Sequence, residues 1–237
     1  MIQKVERPPT LAITAANAIK EEILKGNLLP GNPLHEVELS ESLNISRGTV
    51  REALRLLAQE GIVEIIPYRG AFVSYLTPQM VKEIYTLRAL LEPYAVRLSM
   101  ENGAFDEDTL NEMEALVKRM GEMEQKGDYA ETIKADMKFH EISVQNCQHN
   151  MLLDVLYNLQ AMTLMFILNT KLYRSDMVSD EVSHQAILDS IKSMNPLLAE
   201  EVIRKHINDA GSGLLARMEM EDGVEKRILE QSHNGAF

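Results

Sequence analysis

The chain has 237 residues, 45% hydrophobic and 25% charged, a globular mixture that argues against a disordered chain and suits one large or two ordinary domains. Its one cysteine excludes an internal disulfide framework and a cysteine-cluster zinc site, and no apolar run approaches the roughly 20 residues that span a bilayer. With no signal-peptide core in Met1–Arg7, a soluble cytoplasmic protein with no membrane partner is expected. The net charge of −12 is unevenly spread: residues 1–76 carry a net of −1 and the remainder −11. Acidity of the second part therefore says nothing against DNA binding by the first.

In chain order, Thr10–Lys25 reads as a helix with Leu11, Ala15, Ala18, Ile19 and Ile23 on one stripe, stopped by Gly26 and Pro30-Gly31-Asn32-Pro33. Glu36–Leu43 is a short helix ended by Asn44. Ser46 caps a third, Arg47–Gln59, with Val50, Ala53, Leu54 and Leu57 facing inward. Ile62–Ile66 and Ala71–Tyr75 read as two strands joined by Pro67-Tyr68-Arg69-Gly70. Three helices with a tight helix-turn-helix spacing and a two-stranded ribbon describe a winged helix-turn-helix. Arg47, Arg51 and Arg55 share one face of the third helix, opposite its apolar residues. Ser46 and Thr49 can donate to phosphate from its first turn, Arg69 is a cation at the hairpin tip, and Gly70 allows close backbone approach to a groove. A solvated arginine face is the plainer reading of the three arginines alone. The order of the elements around them points to a DNA reader.

From Thr77-Pro78 onward only helical patterns occur, roughly at 78–102, 107–126, 129–146, 149–173, 177–193 and 196–220. Gly103, Gly127, Ser175-Asp176 and Asn195-Pro196 punctuate them. The expected fold is mainly α: a winged helix-turn-helix over 1–76, an all-α effector and dimerisation bundle of about six helices over 77–222, and a polar tail, 223–237, that frays.

Four polar residues interrupt the bundle's apolar pattern. Asp136 and His140 stand at i, i+4 on one helix; His184 lies beside Ile187, Leu188 and Ile191, and His206 beside Val202, Ile203 and Ile207. Metal sites in helical bundles are built from inward side chains on facing helices. Three imidazoles and a carboxylate suit a divalent ion, zinc first, with nickel or manganese as alternatives. Taken singly, each is more simply a hydrogen-bonded or exposed polar residue. His35, His149 and His233 are read as surface or capping residues.

The residues also resemble known families. Leu34-His35-Glu36-Val37-Glu38-Leu39, Ser46-Arg47-Gly48-Thr49-Val50-Arg51-Glu52-Ala53-Leu54 and Tyr68-Arg69-Gly70-Ala71-Phe72-Val73 are similar to the GntR-type winged-helix repressors. This resemblance implies binding to double-stranded operator DNA through Ser46, Arg47, Gly48, Thr49, Arg51, Arg55, Arg69 and Gly70. The family commonly has an arginine where this chain has Val37, so one DNA contact is expected to be missing. Glu83-Ile84-Tyr85-Thr86-Leu87-Arg88, Asp136-Met137-Lys138-Phe139-His140 and Ser183-His184-Gln185-Ala186-Ile187 resemble the FCD ligand domain of the FadR subfamily, in its shorter, VanR-like branch. That resemblance implies a metal held by Asp136, His140, His184 and His206, with a pocket for a small organic acid beside it. Arg88 is then either a bidentate clamp for a carboxylate or an outward helix residue paired with Glu92. Tyr85, Asn169 and Met165 are expected to line the same space. The implied function is a homodimeric transcriptional regulator, most often a repressor, whose operator affinity a carboxylate effector controls. Two competing readings are a metal-dependent hydrolase, for which no companion base or nucleophile is found, and a regulator that answers to metal alone.

Overall fold

The computed structural model describes residues 10–75, 77–170 and 179–234, without the side chains of 166, 168–170 and 220–234. The chain divides into two compact units, Met1–Tyr75 and Leu76–Phe237.

In the first unit, α1 (Leu11–Leu24) starts at Thr10, whose side chain caps Ile13 N. Its buried stripe is Ala12, Ala15, Ala16, Ile19 and Ile23. Leu11 is exposed and Ala18 only half-buried, so the buried face of α1, which packs on α3, is turned toward Ala12 and Ala16. Next come α2 (Glu36–Ser42) and α3 (Arg47–Gln59), the second capped by Ser46 Oγ, which accepts from Thr49 N at 3.1 Å. Asn44 takes the left-handed φ of 52° that turns the chain between them, a conformation asparagine tolerates. All four expected apolar residues of α3 are buried: Val50, Ala53, Leu54 and Leu57.

The wing carries one strand more than the sequence suggests. β2 (Val63–Ile66) and β3 (Gly70–Val73) pair antiparallel, and β1 (Pro33–Leu34) pairs with β3 on its other side, giving the order β1-β3-β2. The register matches Leu34 to Ala71 and Ile66 to Gly70. A two-residue strand opening on proline reads as a turn in sequence. Proline is nonetheless acceptable there, since an edge strand needs no N–H on its outer side.

The second unit is helical. α4 (Pro78–Glu101) begins with the Thr77 cap and Pro78 in its first turn, and α5 (Glu107–Gln125), α6 (Tyr129–Val144), α7 (Asn150–Thr170), α8 (Asp180–Lys192) and α9 (Pro196–Asn234) follow. The expected helical stretch at 171–173 lies outside the described residues. His149 caps α7, accepting from Leu152 N at 3.2 Å. α9 runs on to Asn234, past the end expected near 220 and into the tail expected to fray from 223, because most of residues 224–231 are good helix formers and Gly223 alone does not stop a helix. α4 and α9 run antiparallel, with Arg204 donating to Ala89 O at 2.6 Å and Arg97 facing Glu200. Gly211 makes this approach possible: a Cβ there would stand 2.7 Å from Tyr85 Cβ. Phe139, Leu156, Ile187, Leu188 and Ile203 form the centre of the core. No helix among the described residues is long and apolar enough to cross a membrane.

Candidate metal centre and DNA-reading face

The bundle brings the four predicted donors together. α6 supplies Asp136 and His140 one turn apart, α8 supplies His184 and α9 supplies His206, and one donor atom from each lies within 4.8 Å of all the others. His140 Nε2 and His206 Nε2 are 3.3 Å apart, and His184 Nε2 is 2.7 Å from Asp136 Oδ1. Nitrogens each about 2.1 Å from one ion would lie roughly 3.0–3.4 Å from each other. The ring orientation also suits metal. His184 Nδ1 donates to the Asp180 backbone oxygen at 2.8 Å, which leaves the Nε2 lone pair facing the cluster. That Nε2 is buried and lies off the line of a hydrogen bond to Asp136. A lone pair and a carboxylate oxygen at 2.7 Å need positive charge, either a proton on the ring or a metal ion. The Phe139 ring, nearly perpendicular to that of His184 with the ring centres 5.1 Å apart, walls the cluster with hydrocarbon.

Electrostatics follow the same geometry. Burial alone would push His184 down, but the Asp136 carboxylate reverses this and raises it. Burial, reinforced by repulsion from His184 and His140, takes His206 well below the usual imidazole range. Burial would raise Asp136, yet the imidazoles around it hold it low.

Behind the donors lies Glu92, a residue the sequence offered only as a partner for Arg88. It is wholly buried, with Oε2 3.0 Å from His140 Nδ1 and Oε1 accepting from Arg88 Nε at 2.5 Å. Burial would raise its pKa, but Arg88 and then His140 bring it down to about 2. The i, i+4 spacing reveals its pairing with Arg88. Nothing in the sequence reveals its contact with His140 across helices.

A cavity of about 390 Å³ opens beside the cluster, walled by Tyr85, Arg88, Asp136, His140 and His206 and by apolar residues that include Ile133 and Leu214. Arg88 is not outward. It is 3% exposed, with its guanidinium 5.2 Å from the centre of the Tyr85 ring. Its bond to Glu92 uses Nε, and the residue lines the cavity at the same time. Met165 is buried but does not line this space, and the Asn169 side chain lies outside the described residues. Asp180, which the sequence did not single out, does line it, and burial with the Asp136 charge pushes its carboxyl up to about 7.

In the first unit, Arg47, Arg51 and Arg55 are exposed on α3, clear of its buried stripe. Arg51 donates from Nε and Nη2 to the Glu36 carboxylate at 2.9 and 2.7 Å, and Arg47 stands 3.8 Å from the same group. Glu36 is thus a further residue of this face that sequence reasoning missed. A shallow concavity joins Glu36 and Val37 of α2, Arg47 of α3, and Arg69 and Gly70 of the wing, whereas Arg55 does not line it. Val37 is exposed at this rim. Ser46 Oγ is engaged with Thr49 N and, at 2.8 Å, with Thr49 Oγ1, so its main local task is to shape the helix start at Gly48.

A winged helix-turn-helix followed by a helical unit with a histidine–carboxylate cluster is the architecture of a DNA-binding transcriptional regulator. Residues 11–73 match the profile of bacterial regulatory proteins of the gntR family, and residues 83–209 match the FCD domain. The chain belongs to the GntR family and carries an FCD effector domain. It is 29% identical over 208 residues to the uncharacterized HTH-type transcriptional regulator YdhC of Bacillus subtilis, covering 86% of this chain and 91% of that protein. It is 31% identical over 201 residues to a probable D-xylose utilization operon transcriptional repressor of Paenarthrobacter nicotinovorans, covering 84% and 86%. Its fold is that of E. coli McbR/YncC, with a TM-score of 0.73 at 21% identity over 89% of this chain and 100% of that one. These relatives are transcriptional regulators, not enzymes.

Proposed function

We propose that this chain is a homodimeric operator-binding repressor whose DNA affinity is set by a small carboxylate bound at a divalent metal in the FCD unit. The observation that carries this reading is the pairing of four convergent donors with a buried arginine on the wall of one cavity. Asp136, His140, His184 and His206 would hold the ion, zinc by the softness of its ligands, with nickel or manganese as the alternatives. When bound, the ion supplies a Lewis-acid anchor for an anionic oxygen. Arg88, already desolvated and oriented by Glu92, supplies a second anchor through its guanidinium. Tyr85 and the apolar wall accept the body of the acid and exclude water. Residues 1–76 would read the operator and 77–222 would bind effector and partner. In the reader, Arg47, Arg51 and Arg55 would face the major groove, with Ser46, Gly48 and Thr49 at the backbone and Arg69 and Gly70 at the adjacent groove. Two-fold pairing of chains would match a near-palindromic site.

The test is a thermal-shift and operator-binding screen of small organic acids, run on metal-loaded and chelated protein. At least one acid should raise the unfolding midpoint of the loaded protein and change its operator affinity, and chelation should remove both effects. Metal analysis finding no divalent ion, with His140→Ala behaving as wild type, would reject the centre. A change in DNA affinity with metal alone, and with no acid in the screen active, would favour metal itself as the signal.

A further inference from the structure

The turn at the tip of the wing holds a residue that its backbone does not favour. Arg69 N bonds Ile66 O at 3.1 Å, so Ile66–Arg69 is a β-turn with Pro67 second and Tyr68 third. Tyr68 has φ of 62°, the left-handed value that a type II turn demands at this place. Glycine or asparagine takes that conformation readily, whereas a bulky aromatic residue is strained in it. Nothing within the unit compensates: Tyr68 is the most exposed large hydrophobic residue among the described residues, at 109% of its reference area. An aromatic ring held wholly in water on a strained backbone contributes nothing to the fold, and strain of this kind marks places where a side chain is presented to something else.

Its neighbours say what that is. Arg69 follows, exposed and with its guanidinium 5.7 Å from the centre of the Phe72 ring, and then Gly70, exposed at φ of 105° with no atom near a would-be Cβ. An exposed aromatic ring, a cation and a bare backbone in succession fit the minor groove of DNA. The groove's negative potential takes the cation, the missing side chain allows close approach, and the flat ring lies against sugar walls or wedges at a base step. We propose that Tyr68 is a DNA-contacting residue, its ring packed in the minor groove beside the half-site that α3 reads. The inference rests on the wing meeting DNA, as proposed above.

The test compares Tyr68→Asn and Tyr68→Phe with wild type on a duplex that the wild-type protein has enriched from a random-sequence pool. Asparagine removes the ring and also relieves the backbone. Tyr68→Asn should bind about tenfold more weakly, the size of an ordinary aromatic contact to nucleic acid, while its thermal midpoint stays level or rises. Its salt slope should match wild type, because no charge is lost, whereas Arg69→Ala should reduce the slope by about one. Tyr68→Phe should retain most of the affinity. Wild-type binding by Tyr68→Asn would overturn the proposal, and so would a loss that comes only with a lowered midpoint or a changed oligomeric mass. Failure of the wild-type protein to enrich any duplex is seen before a variant is made, and it counts against the reader as a whole rather than against Tyr68.

Discussion

Glu92 and His184 govern the chemistry of the chamber. A carboxylate with no solvent contact is tolerable only if protein groups replace its hydration, and the Arg88 guanidinium does so on one oxygen while His140 Nδ1 faces the other. Glu92→Gln keeps the shape but leaves Arg88 buried beside a neutral amide, so it should cost about 3 kcal/mol in denaturant unfolding. It should also weaken metal binding about tenfold or more, because His140 loses the group behind its Nδ1. Equal stability and equal metal affinity would remove Glu92 from the site. The sign of its pH dependence is fixed. Its folded pKa of about 2 lies below the unfolded value near 4.3, so its contribution is complete above pH ~4.3 and fades as pH falls toward 2. The urea midpoint of the metal-free wild type should therefore fall over that interval more steeply than that of Glu92→Gln. His184 runs the other way. Its raised pKa gives the metal-free protein stability below the unfolded value of about 6.5, lost as pH rises through the folded one. A metal that needs its lone pair must displace that proton. Calorimetry of metal binding near neutral pH should show proton release, with observed heats that differ between phosphate and Tris. Identical heats in both buffers would mean that His184 is neutral before metal arrives, or is not a ligand.

At the scale of elements, α3 does two jobs with two faces. Val50, Ala53, Leu54 and Leu57 anchor it while Arg47, Arg51 and Arg55 stay in solvent. Arg51→Ala should weaken operator binding roughly tenfold and relax base preference at one position, as measured by anisotropy on single-base variants of the site. A uniform loss across all sequences would make it a phosphate contact instead. Ser46→Ala should cost about 1 kcal/mol in stability through the lost cap. This much of the fold was legible because local chemistry decides it: period 3.6 gives the α3 stripe, Thr77-Pro78 starts α4, and Asn195-Pro196 precedes α9. β1 was not legible, because a two-residue strand opening on proline has no pattern of its own and exists only by pairing with β3. In α1 the period places Ala15, Ile19 and Ile23 correctly, whereas Ala12 and Ala16 are buried in place of Leu11 and Ala18, a choice that tertiary packing and not the local pattern makes. Of the chamber, the Asp136–His140 spacing was readable from one helix. Glu92 and Asp180 were not, because their roles come from contacts between helices.

At the scale of the whole chain, regulation requires that acid and operator each sense the other. If the acid changes operator affinity by some factor, the operator must change acid affinity by the same factor, typically 5–150-fold. An acid that binds equally well with and without DNA cannot regulate, however tightly it binds. This makes the proposed function measurable from both ends. Isothermal titration of an active acid into metal-loaded protein, free and bound to its duplex, should give two dissociation constants. Their ratio should equal the ratio of operator constants measured with and without acid. His206→Ala, distant in sequence from the reader and without a predicted DNA role, should abolish both ratios together while leaving intrinsic DNA binding and its salt slope intact. If His206→Ala instead changed operator affinity in the absence of any acid, the metal centre would be acting as a structural brace for the DNA-binding state. If His206→Ala left both ratios at their wild-type values, the acid would be binding somewhere other than the cavity that Arg88, His140 and His206 line.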